Sequence, residues 1–134
     1  MTTSLTWTFD SRLPLLSCGI DSERVARFGK WRNDKTEFLP FVFTERERSH
    51  CRMMHNPAFG LCAAFCVKEA LLKAIGRAYD FTDCEFLYHK NPRKCRLSIA
   101  GKTRARMEKI HPVAKLLNPV EGQMSAIIYL FGGV

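Results

Sequence analysis

Phe65-Cys66-Val67-Lys68-Glu69-Ala70-Leu71-Leu72-Lys73-Ala74-Ile75-Gly76 places three charged side chains at the end of a stretch, residues 56–67, that is almost free of charge. Such a stretch reads as a helix buried on most sides. At about 100° per residue, Lys68, Glu69 and Lys73 fall within roughly 140° of arc. Burying a carboxylate and two ammonium groups is costly unless they pair, bind a metal or meet a ligand. A plain structural alternative is a Glu69–Lys73 salt bridge at i,i+4, with Lys68 reaching solvent along its aliphatic stem.

Working outward, Cys18-Gly19-Ile20-Asp21-Ser22-Glu23-Arg24-Val25 follows a short, mostly apolar run, residues 13–20, that predicts a strand. Asp21 and Glu23 are i and i+2 at its end and point the same way if the strand continues. Side-by-side carboxylates repel and stay ionised only with a cation between them. Together with Glu69 they offer three hard oxygen ligands, a set suited to Mg²⁺ that keeps some waters and shares its shell with a substrate phosphate. Alone, an Asp-x-Glu is equally compatible with a solvated strand end.

The two segments, in this order, resemble the 4′-phosphopantetheinyl transferases, whose motifs are G-(I/V)-D-x-x/E and, further along, (F/W)-x-x-K-E-A-x-x-K-A-x-G. Between them, Val42-Phe43-Thr44-Glu45-Arg46-Glu47 is similar to the family's (L/F)-T-x-x-E segment. Its physical content is a capping box, with Thr44 at the N-cap and Glu47 reaching back from N3. The resemblance covers residues 17–134 as one transferase-like unit and leaves residues 1–16 as an N-terminal extension of unknown role.

At 134 residues the chain is of single-domain size and large enough for a real core. Lys and Arg number 21 against 13 Asp and Glu, a net charge of +8 that suits an acidic partner or a polyphosphate ligand. Nucleic-acid binding is an alternative on charge alone, but the basic residues are dispersed and no helix-turn-helix, zinc-finger or RNP-like pattern occurs. The six cysteines come without a signal-peptide pattern or an 18-residue apolar span. That context predicts a cytoplasmic chain with reduced thiols that pack as small core residues. His50, Cys51, His55, Cys62 and Cys66 match no familiar zinc-finger spacing.

The element pattern predicts an α+β fold, a small antiparallel sheet packed on one long buried helix. After the first strand come a short helix over residues 23–31, a loop over 33–40 and a helix over 44–54. Asn56-Pro57 opens the central helix, which ends near Gly76. Strands follow over 84–89 and 95–99 about an Asn91–Lys94 turn. A basic amphipathic helix over 101–110 precedes two apolar strands, 113–117 and 124–131, about a Pro119/Gly122 turn.

The resemblance implies an enzyme, a holo-[acyl-carrier-protein] synthase type of 4′-phosphopantetheinyl transferase. Such enzymes move the 4′-phosphopantetheine arm of coenzyme A onto a serine of an acyl or peptidyl carrier protein and release 3′,5′-ADP. Asp21 and Glu69 match the family's metal ligands, and Glu23 matches the additional ligand of the larger, surfactin-synthetase-activating type. Lys68 and Lys73 are implied to meet phosphate charge, Lys73 near the transferred group, and Glu69 is also the family's base for the serine proton. The Gly101–Ile110 helix and the Arg24/Arg27 pair are candidates for the surface that meets the acidic carrier. No histidine stands near Leu116-Leu117-Asn118-Pro119, where the family's Ser-x-Ser-His falls, and Ala64 stands where the small type often has Arg. These departures keep a catalytically degenerate coenzyme A or carrier-protein binding module as an alternative. The small type closes its cleft between subunits, which implies a homo-oligomer, a trimer before a dimer.

Overall fold

The structure, a computed structural model, describes residues 2–4, 13–31 and 39–133. In chain order these form β1 (Thr2–Ser4), β2 (Leu15–Arg24), α1 (Leu39–Val42), α2 (Glu45–Arg52), α3 (Pro57–Ile75), β3 (Cys84–Leu87), β4 (Arg96–Ile99), α4 (Gly101–Arg106), β5 (Ile110–Val120) and β6 (Gln123–Gly132). Short 3₁₀ turns lie at Val25–Trp31, Phe81–Asp83 and Pro92–Lys94. The strands make two antiparallel three-stranded sheets, ordered β1-β4-β3 and β2-β6-β5. The α+β class holds, with two small sheets in place of the single one expected.

α3 is the spine. Pro57 at its start has no N–H to waste, and Gly76 ends it at φ 83°, a left-handed cap that glycine adopts at little cost. Gly60 to Lys68 are all buried, as the charge-free run required. The helix packs on the inner face of β2 and β6 and also touches β3 and α2. Alternation along β6 buries Met124, Ala126, Ile128 and Leu130 against it. On β2 the inward positions are Gly19 and Asp21, while Leu16 and Ile20 face out.

α2 begins with the expected capping box. Glu47 N donates to Thr44 Oγ1 at 3.0 Å, and Thr44 N donates to Glu47 Oε1 at 2.8 Å.

Several boundaries differ from expectation. β2 runs on to Arg24 because Ser22, Glu23 and Arg24 pair with Ser125, Met124 and Gln123, so the following helical turn starts at Val25. The basic helix stops at Arg106, not 110. Ile110, His111 and Pro112 are claimed by β5, where they pair with Gly132, Phe131 and Leu130. β5 is an edge strand and so tolerates Pro112, and Pro119 falls where the register shifts between Leu117 and Val120. Most of the loop expected over 33–40 lies outside the described residues, and Pro40 belongs to α1. β1 pairs with β4, Thr2 opposite Ser98, which makes it an edge strand of the smaller sheet.

Candidate active site

Two adjoining backbones bring the carboxylates together. A Cβ built at Gly19 would run into the Ala70 carbonyl oxygen and stand 2.7 Å from Ala74 N, so β2 lies against α3 with no side chain between them. Ser17 Oγ fastens the same approach by donating to Ala74 O at 2.5 Å. This contact sets Asp21, two residues past Gly19, beside the turn of α3 that carries Glu69 and Lys73.

Lys73 Nζ donates to Asp21 Oδ1 at 3.1 Å and to Ile20 O at 2.9 Å. The ion pair that forms at this end of α3 therefore crosses to β2. Asp21 is buried, and its second oxygen, Oδ2, has no hydrogen-bond partner. A buried carboxylate oxygen left without a donor is expensive, and a cation would satisfy it. Glu23, on the same face of β2, is held instead by Arg27, whose Nη1 stands 2.6 Å from Glu23 Oε2. The Arg27 guanidinium lies over the rings of Phe65 and Phe28, 5.5 and 5.9 Å from their centroids.

Glu69 is half-buried, and desolvation together with the Asp21 and Glu23 charges pushes its carboxyl pKa up, against the pull of Lys73 and Arg27. The folded chain thus holds this proton more tightly than the unfolded chain does. Stability from Glu69 is present at low pH and is lost as pH rises through the raised value. Glu69→Gln is accordingly expected to raise the melting temperature slightly at pH 8 without divalent cations, with the gain vanishing toward pH 4. Thermal unfolding at the two pH values checks this.

The expected three-ligand cluster is not assembled in this conformation. Among the described residues, no group of three His, Cys, Asp or Glu side chains could hold a metal ion as placed. Asp21 and Glu69 still fit a divalent cation by donor type, burial and the unpartnered Oδ2, while Glu23 is turned to Arg27. The cysteines are free and, except for Cys18, buried in the packing.

Lys68 requires a correction. It is 0% exposed, and its ammonium lies 2.9 Å from Glu47 Oε1, donates to Phe81 O at 2.7 Å and donates also to Cys84 O. Every donor has a taker in the core, so Lys68 does not face the carboxylates and is not placed to meet a phosphate. Glu47 is equally buried, and its Oε2 accepts from Phe86 N at 2.8 Å. The pair ties α2, α3 and β3 into one block. Tyr79 adds to it by donating to the Lys68 carbonyl at 2.8 Å.

Sequence reasoning read Glu47 only as a capping residue and Arg27 only as a surface charge. A buried Lys68 demands an anion, and Glu47 is the acid of α2 whose partner helix the capping box had already placed. For Arg27 the signal was its i,i+4 spacing from Glu23.

A model of the 4′-phosphopantetheinyl transferase superfamily matches residues 17–121, which include Asp21, Glu23, Glu47, Lys68, Glu69 and Lys73. The chain belongs to that superfamily. Over 90 residues it is 32% identical to the holo-[acyl-carrier-protein] synthase of Caldanaerobacter subterraneus subsp. tengcongensis, covering 65% of this chain and 70% of the relative. Over 66 residues it is 42% identical to the protein of the same name from Syntrophotalea carbinolica, covering 48% of this chain and 52% of the relative. The chain thus spans only about half the length of that second relative. In fold it is similar to a holo-(acyl-carrier-protein) synthase from Bacillus anthracis str. Ames solved in complex with CoA (3′,5′-ADP). That likeness has a TM-score of 0.68 at 19% identity and covers 89% of this chain and 98% of the other. The superfamily's two motifs therefore sit on β2 and α3, the elements that touch at Gly19.

Proposed function

We propose that this chain transfers the 4′-phosphopantetheine arm of coenzyme A to a serine of an acyl or peptidyl carrier protein, releasing 3′,5′-ADP. The observation that carries the reading is the Lys73–Asp21 bond across the β2–α3 contact, within electrostatic reach of Glu69, with Asp21 Oδ2 buried and unpartnered. Asp21 and Glu69 would hold Mg²⁺, and Glu23 would be available as a third ligand if released from Arg27. Bound there, the ion supplies Lewis acidity toward the diphosphate of coenzyme A. Lys73, more than half exposed, sets its ammonium where negative charge gathers as the serine oxygen bonds to the β-phosphorus and the bond to 3′,5′-ADP breaks. Glu69, beside Asp21 and Lys73, is also the candidate acceptor for the serine proton, a role that competes with ligating the cation. Mass spectrometry of an apo carrier protein incubated with coenzyme A, Mg²⁺ and this chain tests the proposal. Addition of one phosphopantetheine supports it, and an unmodified carrier beside detectable coenzyme A binding supports the degenerate binding module.

The partner fits the charge. With +8 overall, encounter with an acidic carrier is steered electrostatically and weakens with salt. Arg24 is exposed at the end of β2, beside the site, and Lys102 and Arg106 are exposed on α4. Arg24→Glu is expected to raise the KM for the carrier about tenfold and to leave that for coenzyme A unchanged. Steady-state kinetics at two salt concentrations checks both halves. Arg24 is the better probe than Arg27, because Arg27 is engaged with Glu23.

The outer face of the β2-β6-β5 sheet exposes Leu16 at 56% and Ile20 at 58%, with Leu117 and Val120 at the rim of the hairpin. An apolar sheet face of this kind calls for cover, and a second copy that also closes the open side of the site supplies it. A closed ring of three copies is the expected assembly. Light scattering at micromolar concentration should return about three times the 15.4 kDa chain mass, and a monomer mass would count against the shared cleft. Among the described residues no helix is long and apolar enough to cross a membrane.

A further inference from the structure

We propose that the Glu23–Arg27 ion pair couples docking of the acidic carrier to cation loading of the site. This inference rests on the transferase reading above. Three observations carry it. Glu23 stands on the inward face of β2 two residues beyond Asp21, its side chain only 15% exposed, and its carboxylate is taken up by Arg27 at 2.6 Å. Arg27 is 53% exposed and rests on Phe65, one helical turn before Glu69, so it forms the rim of the site and presents its free edge to an incoming partner. Asp21 and Glu69, with Glu23 so engaged, fall short of a three-ligand group among the described residues.

An arginine has five N–H donors but one positive charge to share. A carboxylate of the carrier that takes the Arg27 guanidinium draws it outward along the Phe65 face and loosens its hold on Glu23. Glu23 is then a half-buried carboxylate beside Asp21, and a divalent cation between the two relieves both the repulsion and the lost pairing. Carrier and cation therefore favour one another, and the coupling is reciprocal: the loaded site binds the carrier more tightly by the same factor. In the absence of carrier, Arg27 acts as a stand-in cation for Glu23, just as Lys73 does for Asp21.

The test is Mn²⁺ titration by calorimetry, in the presence of coenzyme A, with and without a saturating apo carrier whose acceptor serine is alanine so that no turnover occurs. Wild-type chain is expected to bind Mn²⁺ about tenfold more tightly with carrier present. Arg27→Gln is expected to bind Mn²⁺ more tightly than wild type without any carrier, and Glu23→Gln to bind it equally with and without. Arg27 is exposed and the Glu23→Gln change is isosteric, and unchanged circular dichroism confirms that the variants fold. Arg27→Gln with wild-type Mn²⁺ affinity, or Glu23→Gln that retains the tightening, overturns the coupling. Asp21→Asn separates this outcome from failure of the reading beneath it. If Asp21→Asn loses Mn²⁺ while Arg27→Gln is unchanged, only the coupling falls. If Asp21→Asn binds as wild type does, the cation site itself is misplaced and both fall.

Discussion

Lys68→Met should lose about 3–5 kcal/mol of folding stability, lowering the melting temperature by roughly 10–20 °C, although it removes no residue from the proposed active site. The reason lies with what is left behind. Glu47 remains in the core with no counter-charge, and the carbonyl oxygens of Phe81 and Cys84 lose their donor. Burial already pushes the Glu47 carboxyl pKa up, and Lys68 is the largest influence against that rise. Without Lys68 the folded chain holds the Glu47 proton still more tightly. Its contribution is then retained at low pH and lost as pH rises through the raised value, so the damage is expected to be smaller at pH 5 than at pH 8. Adding Glu47→Leu recovers part of the loss but not all of it, because Phe86 N and Thr44 N lose the acceptors that Glu47 gave them. Chemical denaturation of the two single variants and the double variant gives the cycle. A Lys68→Met protein as stable as the parent would mean that the buried pair is idle.

Glu69→Ala and Asp21→Ala are each expected to cut turnover by at least about a hundredfold while leaving the chain folded. The contrast with Lys68→Met is the informative part: neighbouring motif residues are expected to separate into one that holds the fold and one that does the proposed chemistry. Glu69 feels the Asp21 and Glu23 charges, so its removal relieves repulsion in the cation-free protein, and removal of Asp21 gives up only its pair with the exposed Lys73. Rate measurements with coenzyme A and an apo carrier, paired with melting curves, distinguish the two kinds of residue. Near-normal turnover in Glu69→Ala would sink the mechanism.

How far the sequence could be read follows from how local each signal is. The capping box of Thr44 and Glu47, the Asn56-Pro57 start and the Gly76 end of α3 are decided within a few residues, and they stand where the pattern placed them. The facing of Asp21 and Glu23 follows from strand alternation alone. Lys68 could not be assigned in this way. An arc of roughly 140° is wide enough to span two packing layers. Glu69 and Lys73 turn toward β2, but Lys68, at the other end of the arc, meets Glu47, whose position depends on how α2 crosses α3. The basic periodicity of α4 continues to residue 110, but the helix closes into a turn over Met107–Lys109, and Ile110 is taken into β5 by pairing with Gly132. Thr2–Ser4 carries no pattern of its own and is a strand solely because β4 offers it an edge.

The glycine contact between β2 and α3 has a consequence for how this protein can change. Where side chains fill the gap between two elements, a mutation that swells or shrinks the filling shifts the groups those elements carry. Here main chain rests on main chain at Gly19, Ala70 and Ala74, and the gap has no filling to vary. Core substitutions elsewhere on α3, at Val67 or Leu71 for example, are expected to act on stability before they act on the span between Asp21 and Glu69. Stability and the spacing of the proposed site are therefore expected to respond to different substitutions, and a stabilised version of this chain is best sought in the core away from this contact.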